Sequence, residues 1–396
     1  MADSDDDTQP RQRSPANGGA RLAVSALLLL TLALTAPTRA AGWLDGFLDS
    51  DDGQFDLSDW LLDRKGFMPV PIIITEPAVG YGGGVMALFF RESIRDATAR
   101  GQETGRLAPP DIYALGGALT ENGTWAGAGG GMVTFDNDHY RWRGAVARMS
   151  VNLDFFGPGG RFGPVGYNLD GWGSTQHGMM RLGESDLWLV ARWNYTDLKN
   201  SFDIAGQAAQ FGPIVRSSRA SALGVSLEAD TRDNIFTPSR GWTGSVDATF
   251  ADPAWGSDTR FQSYRAHAFG YWPIGKSIVL GGRIDGRGVE GDVPFYILPF
   301  VDLRGVPVAR LQDRRTAVVE TEVRWNVTPR WAVIGFVGGG RAWGTTTHFS
   351  DGTETVAKGV GFRYLVARRL GMYVGVDWAW STQDHAFYIQ VGNAWR

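Results

Sequence analysis

The sequence predicts an all-β protein: a transmembrane antiparallel β-barrel of about sixteen strands, preceded by a signal peptide. Three observations carry this. The first is alternation on both sides of the polar segment Asp230–Trp242: Leu223, Val225, Leu227 and Ala229 interleave with Gly224, Ser226, Glu228 and Asp230. After it, Trp242, Gly244, Val246, Ala248 and Phe250 interleave with Thr243, Ser245, Asp247 and Thr249. A period of two, apolar on one face and carboxylate-bearing on the other, describes strands between lipid and a wet lumen. The second is composition: 54 Gly and 48 aromatics (16 Trp, 11 Tyr, 21 Phe) in 396 residues, with no Cys. Glycine eases strand tilt and aromatics form interfacial girdles. The third is the N-terminus, where Arg11, Arg13 and Arg21 precede the apolar run Leu22–Leu34 and the small-residue stretch Ala36–Ala41. This reads as a signal peptide over 1–40 with cleavage expected after Ala40, and the run is too short to span a bilayer.

The elements follow in order. Residues 41–66 form a short acidic periplasmic segment carrying Asp49, Asp51, Asp52, Asp56 and Asp59. Its spacing does not fit a calcium loop, since Gln54 occupies the position that needs Gly, so a solvated tail or a short helix starting near Ser58 is expected. The barrel occupies 67–396. Strands are expected at Val70–Glu76, Gly80–Arg91, Asp111–Thr120, Thr124–Phe135, Tyr140–Phe155 and Val165–Arg181. Ser185–Thr196, Ala220–Asp230, Gly241–Phe250, Arg260–Trp272 and Lys276–Gly288 come next. Arg315–Val327, Arg330–Trp343, Val356–Val366, Met372–Ser381 and Ala386–Trp395 complete the set. An even count fits closure. In Arg315–Val327 the phase puts Ala317, Val319, Thr321, Val323, Trp325 and Val327 toward lipid, and Thr316, Val318, Glu320, Glu322, Arg324 and Asn326 toward the lumen. A soluble β-sandwich also alternates, but it would place aliphatics in a core and not Trp and Tyr at the ends of apolar faces.

Composition and motifs exclude several function classes. A net charge of −4 is too small to imply a nucleic-acid partner. Gly270–Ser277 matches a phosphate loop letter by letter, but a strand continues after it where a helix must begin, so no nucleotide is expected. The five His lack paired metal-ligand spacing, and no nucleophile elbow is present. The expectation is therefore no catalytic residue, cofactor or metal, and no enzyme.

Two segments point to a family. The turn Asp230-x-Arg-Asp-Asn with Pro238-x-Arg-Gly241 resembles a periplasmic turn of the BamA/TamA superfamily (bacterial surface antigen family). Val301-Asp-Leu-Arg304-Gly305-Val306, in the loop before Arg315, is similar to that family's Arg-Gly loop motif, and Glu322-Val-Arg324 to its Glu-x-Arg element. The resemblance covers Phe67–Trp395. It implies that the loop folds into the lumen from the extracellular side and that Arg304 reaches Glu320 and Glu322. There are departures: Val306 stands at an aromatic position, and Gly338 at an Asp position, leaving Arg304 fewer partners. Gly42–Gly66 is too short for a periplasmic POTRA domain, so the resemblance is to a form lacking them. It implies an outer-membrane protein that inserts or exports proteins or lipids through the first–last strand seam. Pro71 and Pro77 weaken the first strand there, and Gly392 kinks the last. The partners implied are outer-membrane lipid and an unfolded outer-membrane protein or lipid client. The alternative is a passive pore or structural barrel without a client.

Overall fold

Sixteen strands form one antiparallel sheet in strict chain order, each hydrogen-bonded to its sequence neighbours. The computed structural model describes residues 45–104, 109–203 and 214–395; the expected signal peptide, 1–40, lies outside the described residues. The chain divides into two units. In residues 1–48 only a 3-10 turn at Asp45–Phe47 and Leu48 are described; residues 49–396 hold all that follows.

The strands are β1 Gly66–Ile74, β2 Gly82–Phe90, β3 Ile112–Thr120, β4 Trp125–Phe135, β5 Tyr140–Phe155 and β6 Val165–Arg181. Then come β7 Leu187–Asp203, β8 Ile214–Asp230, β9 Gly241–Ala251, β10 Phe261–Ile274 and β11 Ile278–Gly291. The last are β12 Arg315–Asn326, β13 Trp331–Trp343, β14 Thr353–Ala367, β15 Met372–Ser381 and β16 His385–Val391. Two helices, α1 Ser58–Leu62 and α2 Ile94–Thr104, lie before β1 and between β2 and β3. No helix among the described residues is long and apolar enough to cross a membrane.

Alternation sets the two faces. On β12, Val319, Val323 and Trp325 are exposed, whereas Thr316, Val318, Glu320 and Arg324 are buried. Exposed aromatics and aliphatics such as Trp193, Trp242, Trp272, Val337, Val360 and Trp378 continue this band around the sheet. A contiguous apolar surface of that extent is what a lipid-facing wall requires. The interior is uneven. On β1 to β4 the outward set includes Phe67, Ile73, Val85, Phe89, Leu115 and Trp125, so the inward positions are apolar or small: Ile72, Met86, Ala114, Gly116 and Ala128. Buried Asp247, Arg283, Asp285, Glu320, Arg363 and Asp377 carry the interior charge on β9 to β15.

Strand length is uneven too. Strands β5 to β8 run 16 or 17 residues, well beyond the roughly ten that a tilted strand needs to span. Their ends away from the start of β1 are polar, with Asn168, Asp170, Asp197, Lys199, Arg216 and Arg219. By contrast β1 has 9 residues and β16 only 7. The rim where β1 begins is termed the entry rim.

Several boundaries differ from expectation, most of all β7, which runs on to Asp203, and β8, which starts at Ile214, seven and six residues beyond the expected ends. Strand β1 starts earlier and ends at Ile74, which leaves Pro77 in the β1–β2 turn and not in the strand. Pro71 is inside β1, joined by Pro69. Strand β16 stops at Val391, four residues short of Trp395, because Gly392 adopts φ +76°. The phosphate-loop match is a β10–β11 hairpin, with Ile274 paired to Ile278 and Gly275 at φ +65°.

Candidate functional site

The residues singled out by the sequence lie in two places, a locked loop inside the lumen and the edge between β1 and β16.

Loop 292–314, between β11 and β12, folds inward. Its outer part packs Phe295 edge-on against Phe155 and Tyr167, with centroids 5.4 and 5.1 Å apart. Its inner part buries Val301, Leu303, Val306 and Leu311 against Val318, Ala342 and Ala357. Glycines on β13 make room for it. A Cβ on Gly338 would lie 2.7 Å from Leu303 Cδ1, and one on Gly340 would run into Val301. Gly338 thus removes a carboxylate and at the same time admits the loop's apolar side chains.

Arg304 sits at the centre. Its Nε donates to Glu320 Oε1 at 2.7 Å and its Nη1 to Asp377 Oδ2 at 2.9 Å. Glu322 Oε2 lies 2.8 Å from Nη2, an ion pair outside hydrogen-bond angles. The guanidinium carbon stands 3.5 Å from the Phe336 ring centroid, within cation–π range. The expectation of fewer partners for Arg304 is overturned: Asp377, on β15, supplies the carboxylate that Gly338 does not. Asp377 is itself gripped by both Arg363 nitrogens, at 2.7 and 2.9 Å. Gly305, at φ +87°, donates its N–H to Tyr388 Oη on β16 at 3.0 Å, and Ser381 donates to its carbonyl at 2.6 Å. A side chain at Gly305 would bring its Cβ to 3.1 Å from Ala379 Cβ, and this crowding together with the positive φ is why Gly follows Arg here. Val306 is buried without an aromatic partner role; the rings around the motif, Phe336 and Tyr388, come from the wall.

Glu320 has a second partner that the sequence reading missed. After β16 the chain turns at Gly392, whose N–H bonds Tyr373 O at 2.7 Å, and enters the lumen. Trp395 Nε1 donates to Glu320 Oε2 at 3.0 Å, with its ring beside Phe269 and Tyr271. One carboxylate therefore takes the loop's Arg304 through one oxygen and the chain's end through the other. Beneath it a water-sized cavity of about 20 Å³ is lined by Tyr271, Glu322, Arg324, Arg363 and Asn393. A larger cavity of about 240 Å³ is lined by Arg265 and Arg287 of the wall and by Tyr296 to Phe300 of the loop, and Arg287 donates to loop residue Asp302 at 2.9 Å. Asp377 had one available signal, an acidic residue at an inward position in an otherwise apolar strand. Trp395 had none, because a tail leaving its strand breaks the alternation that locates it.

The seam lies between β1 and β16. Among the described residues no ladder joins them. Pro69 and Pro71 are two apart, so both missing N–H groups lie on one edge of β1. The β1–β2 register runs unbroken through both, Pro69 to Ala87 and Pro71 to Val85. Proline survives in strands where its absent donor faces an unpaired edge, which here is the seam.

Among the described residues, no group of His, Cys, Asp and Glu could hold a metal ion.

The comparisons with known proteins agree with this fold. Residues 215–382 match the Omp85 superfamily domain. Among solved structures, BamA from Haemophilus ducreyi lacking POTRA domains 1–3 is similar, with TM-score 0.57 and 10% identity over 83% of this chain and 70% of that one. CdiB from Acinetobacter baumannii gives 0.52 and 11%, covering 83% of this chain and 60% of that one. CdiB from Escherichia coli gives 0.55 and 10%, covering 82% and 61%. The chain thus spans less than two thirds of either CdiB chain. No curated protein matches it. Residues 215–382, from the second residue of β8 to the residue after β15, thus match the Omp85 superfamily domain, within a sixteen-stranded sheet whose fold is similar to that of these barrels.

Proposed function

We propose that this barrel resides in a bacterial outer membrane, exported by its signal peptide over 1–40, and inserts or exports a protein or lipid client through the β1–β16 seam. The entry rim then faces the periplasm and loop 292–314 enters from outside. The carrying observation is the seam, two strand edges of 9 and 7 residues with no ladder between them among the described residues. The unpaired edge of β16 is a template for a client strand, because its N–H and C=O groups face no neighbouring strand among the described residues. Pro69 and Pro71, by contrast, leave the β1 edge short of donors and weaken its closure onto β16. The uncharged interior of β1 to β4 lies directly beside that edge, so an apolar client side chain entering there meets no carboxylate. No chemistry on a substrate is needed, and the proposed role is not enzymatic. A passive pore is the weaker reading, since the Arg304 loop and the Trp395 tail both fill the lumen.

Planar-bilayer conductance of the purified protein, intact and with 299–312 deleted, tests this. The proposal expects a small, flickering conductance that becomes large and steady on deletion. A steady large conductance of the intact chain, unchanged by deletion, would favour the passive pore.

A further inference from the structure

We propose that residues 49–62 form a clasp that holds the β1–β16 seam shut at the entry rim. The proposal rests on the seam reading above and names how that seam is controlled.

The acidic segment was expected as a solvated tail or a short helix starting near Ser58; α1 is that helix, and several polar groups of the segment are buried. Arg330, in the β12–β13 turn, has a fully buried side chain. It donates to Asp49 Oδ2 at 2.7 Å, to Asp52 Oδ2 at 2.6 Å and to Asp56 Oδ2 at 2.5 Å. Arg368, in the β14–β15 turn, pairs with Asp49 and Asp51. Backbone bonds fix the path: Leu57 N–H to Val366 O at 2.7 Å, and Arg369 N–H to Ser58 Oγ at 2.9 Å. Tyr364 Oη donates to Phe55 O at 2.7 Å. The segment is thereby bound to the last strands of the sheet.

It is also bound to the first. Leu61 and Leu62 of α1 are buried in one cluster with Met68 of β1, Phe90 of β2, and Val366, Ala367 and Leu370 of the β14–β15 corner. Asp59 faces arginines from both sides, Arg95 of α2 at 3.6 Å and Arg369. Asp63 takes a 2.7 Å bond from Arg95. Strand β16 pairs with β15 only as far as Val374, so at this rim the last strand falls short of the sheet's edge. The clasp occupies the span between the two edge hairpins that strand pairing leaves unbridged. Residues next to the first strand thus contact turns 274 to 319 positions away.

The test uses spin labels at Phe67→Cys and Val391→Cys, both lipid-facing at the entry rim, in the full-length protein in vesicles. The intact clasp should give one narrow distance distribution. Arg330→Ala, and separately Leu61→Gln with Leu62→Gln, should add a longer-distance population. Trypsin cleavage at Arg64 or Lys65 should rise at least tenfold in both variants. An unchanged distribution in a variant whose segment has become trypsin-sensitive would overturn the proposal. If neither variant folds, Leu57→Cys with Val366→Cys locks the clasp by oxidation; that lock should slow insertion of a urea-unfolded outer-membrane barrel at least tenfold, reversibly on reduction. Client insertion at full rate with the clasp oxidised would sink the clasp and leave the seam reading intact. Label distances that respond to the clasp without any client insertion would do the opposite.

Discussion

Arg304 and Arg330 each lie out of solvent and each face three carboxylates, but what is fixed and what is free is reversed between them. Around Arg304 the carboxylates belong to the sheet, Glu320 and Glu322 on β12 and Asp377 on β15, and the arginine arrives on a loop. Around Arg330 the arginine belongs to a tight turn, and the carboxylates arrive on a segment with little regular structure. Burying a guanidinium is offset only when its carboxylates are all in place. The lumenal centre therefore selects a loop position on a rigid wall. The rim centre selects the path of a movable strap. Solvent separates them further, since the Asp52 side chain keeps 25% exposure while Asp377 has none. A lost partner can be replaced by water at the rim far more readily than in the lumen.

The largest effect is expected from Arg304→Ala, which takes from Glu322 its ion-pair partner and leaves Glu320 only Trp395 and the more distant Arg283. A loss of about 3 to 5 kcal/mol is typical for breaking one side of such a pair. Urea unfolding in detergent and the heat resistance of the folded band on gels should both show it. Arg304→Lys keeps the positive charge among the three carboxylates and should recover part of the loss; no recovery would mean that the forked guanidinium, and not the charge alone, holds the site. Gly338→Ala comes next, because the new methyl meets Leu303 Cδ1 at 2.7 Å. Overpacking of this kind costs about 1 to 3 kcal/mol, and protease cleavage within 292–314 should increase. An unchanged loop would show that Leu303 can give way.

Trp395→Phe keeps the ring against Phe269 and Tyr271 but removes the indole donor to Glu320. About 1 kcal/mol is expected, the net worth of one hydrogen bond, visible as a small shift in urea midpoint. A drop as large as that of Arg304→Ala would mean that the tail, and not the loop, organises Glu320. The smallest effect concerns pH. Hydrogen bonding by Arg330 holds Asp52 down at about 2. For Asp56 burial pushes upward, but bonds from Ser58 and Arg330 outweigh it and leave its carboxyl low. Both are depressed, so their contribution is complete above the ordinary aspartate value of 3.8 and fades as pH falls toward 2. Amide exchange at Leu57, whose N–H bonds Val366 O, should stay protected at pH 5 and accelerate only in that acid window. Release of the segment at pH 5 would remove these carboxylates from the account.

The two centres also mark how far the sequence could be read. Alternation located all sixteen strands and the inward phase of β12, because lipid outside and water inside enforce a period of two on every residue. The same phase turned Glu320 and Glu322 inward, and the family resemblance of the Arg-Gly motif brought Arg304 to them. It could not bring in Asp377, whose strand lies three places further around the sheet, since strand order across a barrel is a tertiary fact. The grip of Arg330 on Asp49, Asp52 and Asp56 joins residues nearly 280 positions apart, with no periodicity on either side. A run of aspartates reads locally as solvated, and only the folded barrel supplies the arginines that bury it. Strand ends were misplaced where a special backbone took over, as at Gly392.

The central claim is that the β1–β16 edge opens to admit a client, and a reversible lock tests it most directly. Cysteine pairs placed along residues 70–74 and 385–391 are oxidised in vesicles, and insertion of a urea-unfolded outer-membrane barrel is followed before and after reduction. The account predicts that oxidation abolishes insertion and that reduction restores it, while Cys pairs across the continuous β10–β11 ladder have no effect. Full insertion by a barrel whose seam is quantitatively crosslinked would contradict it.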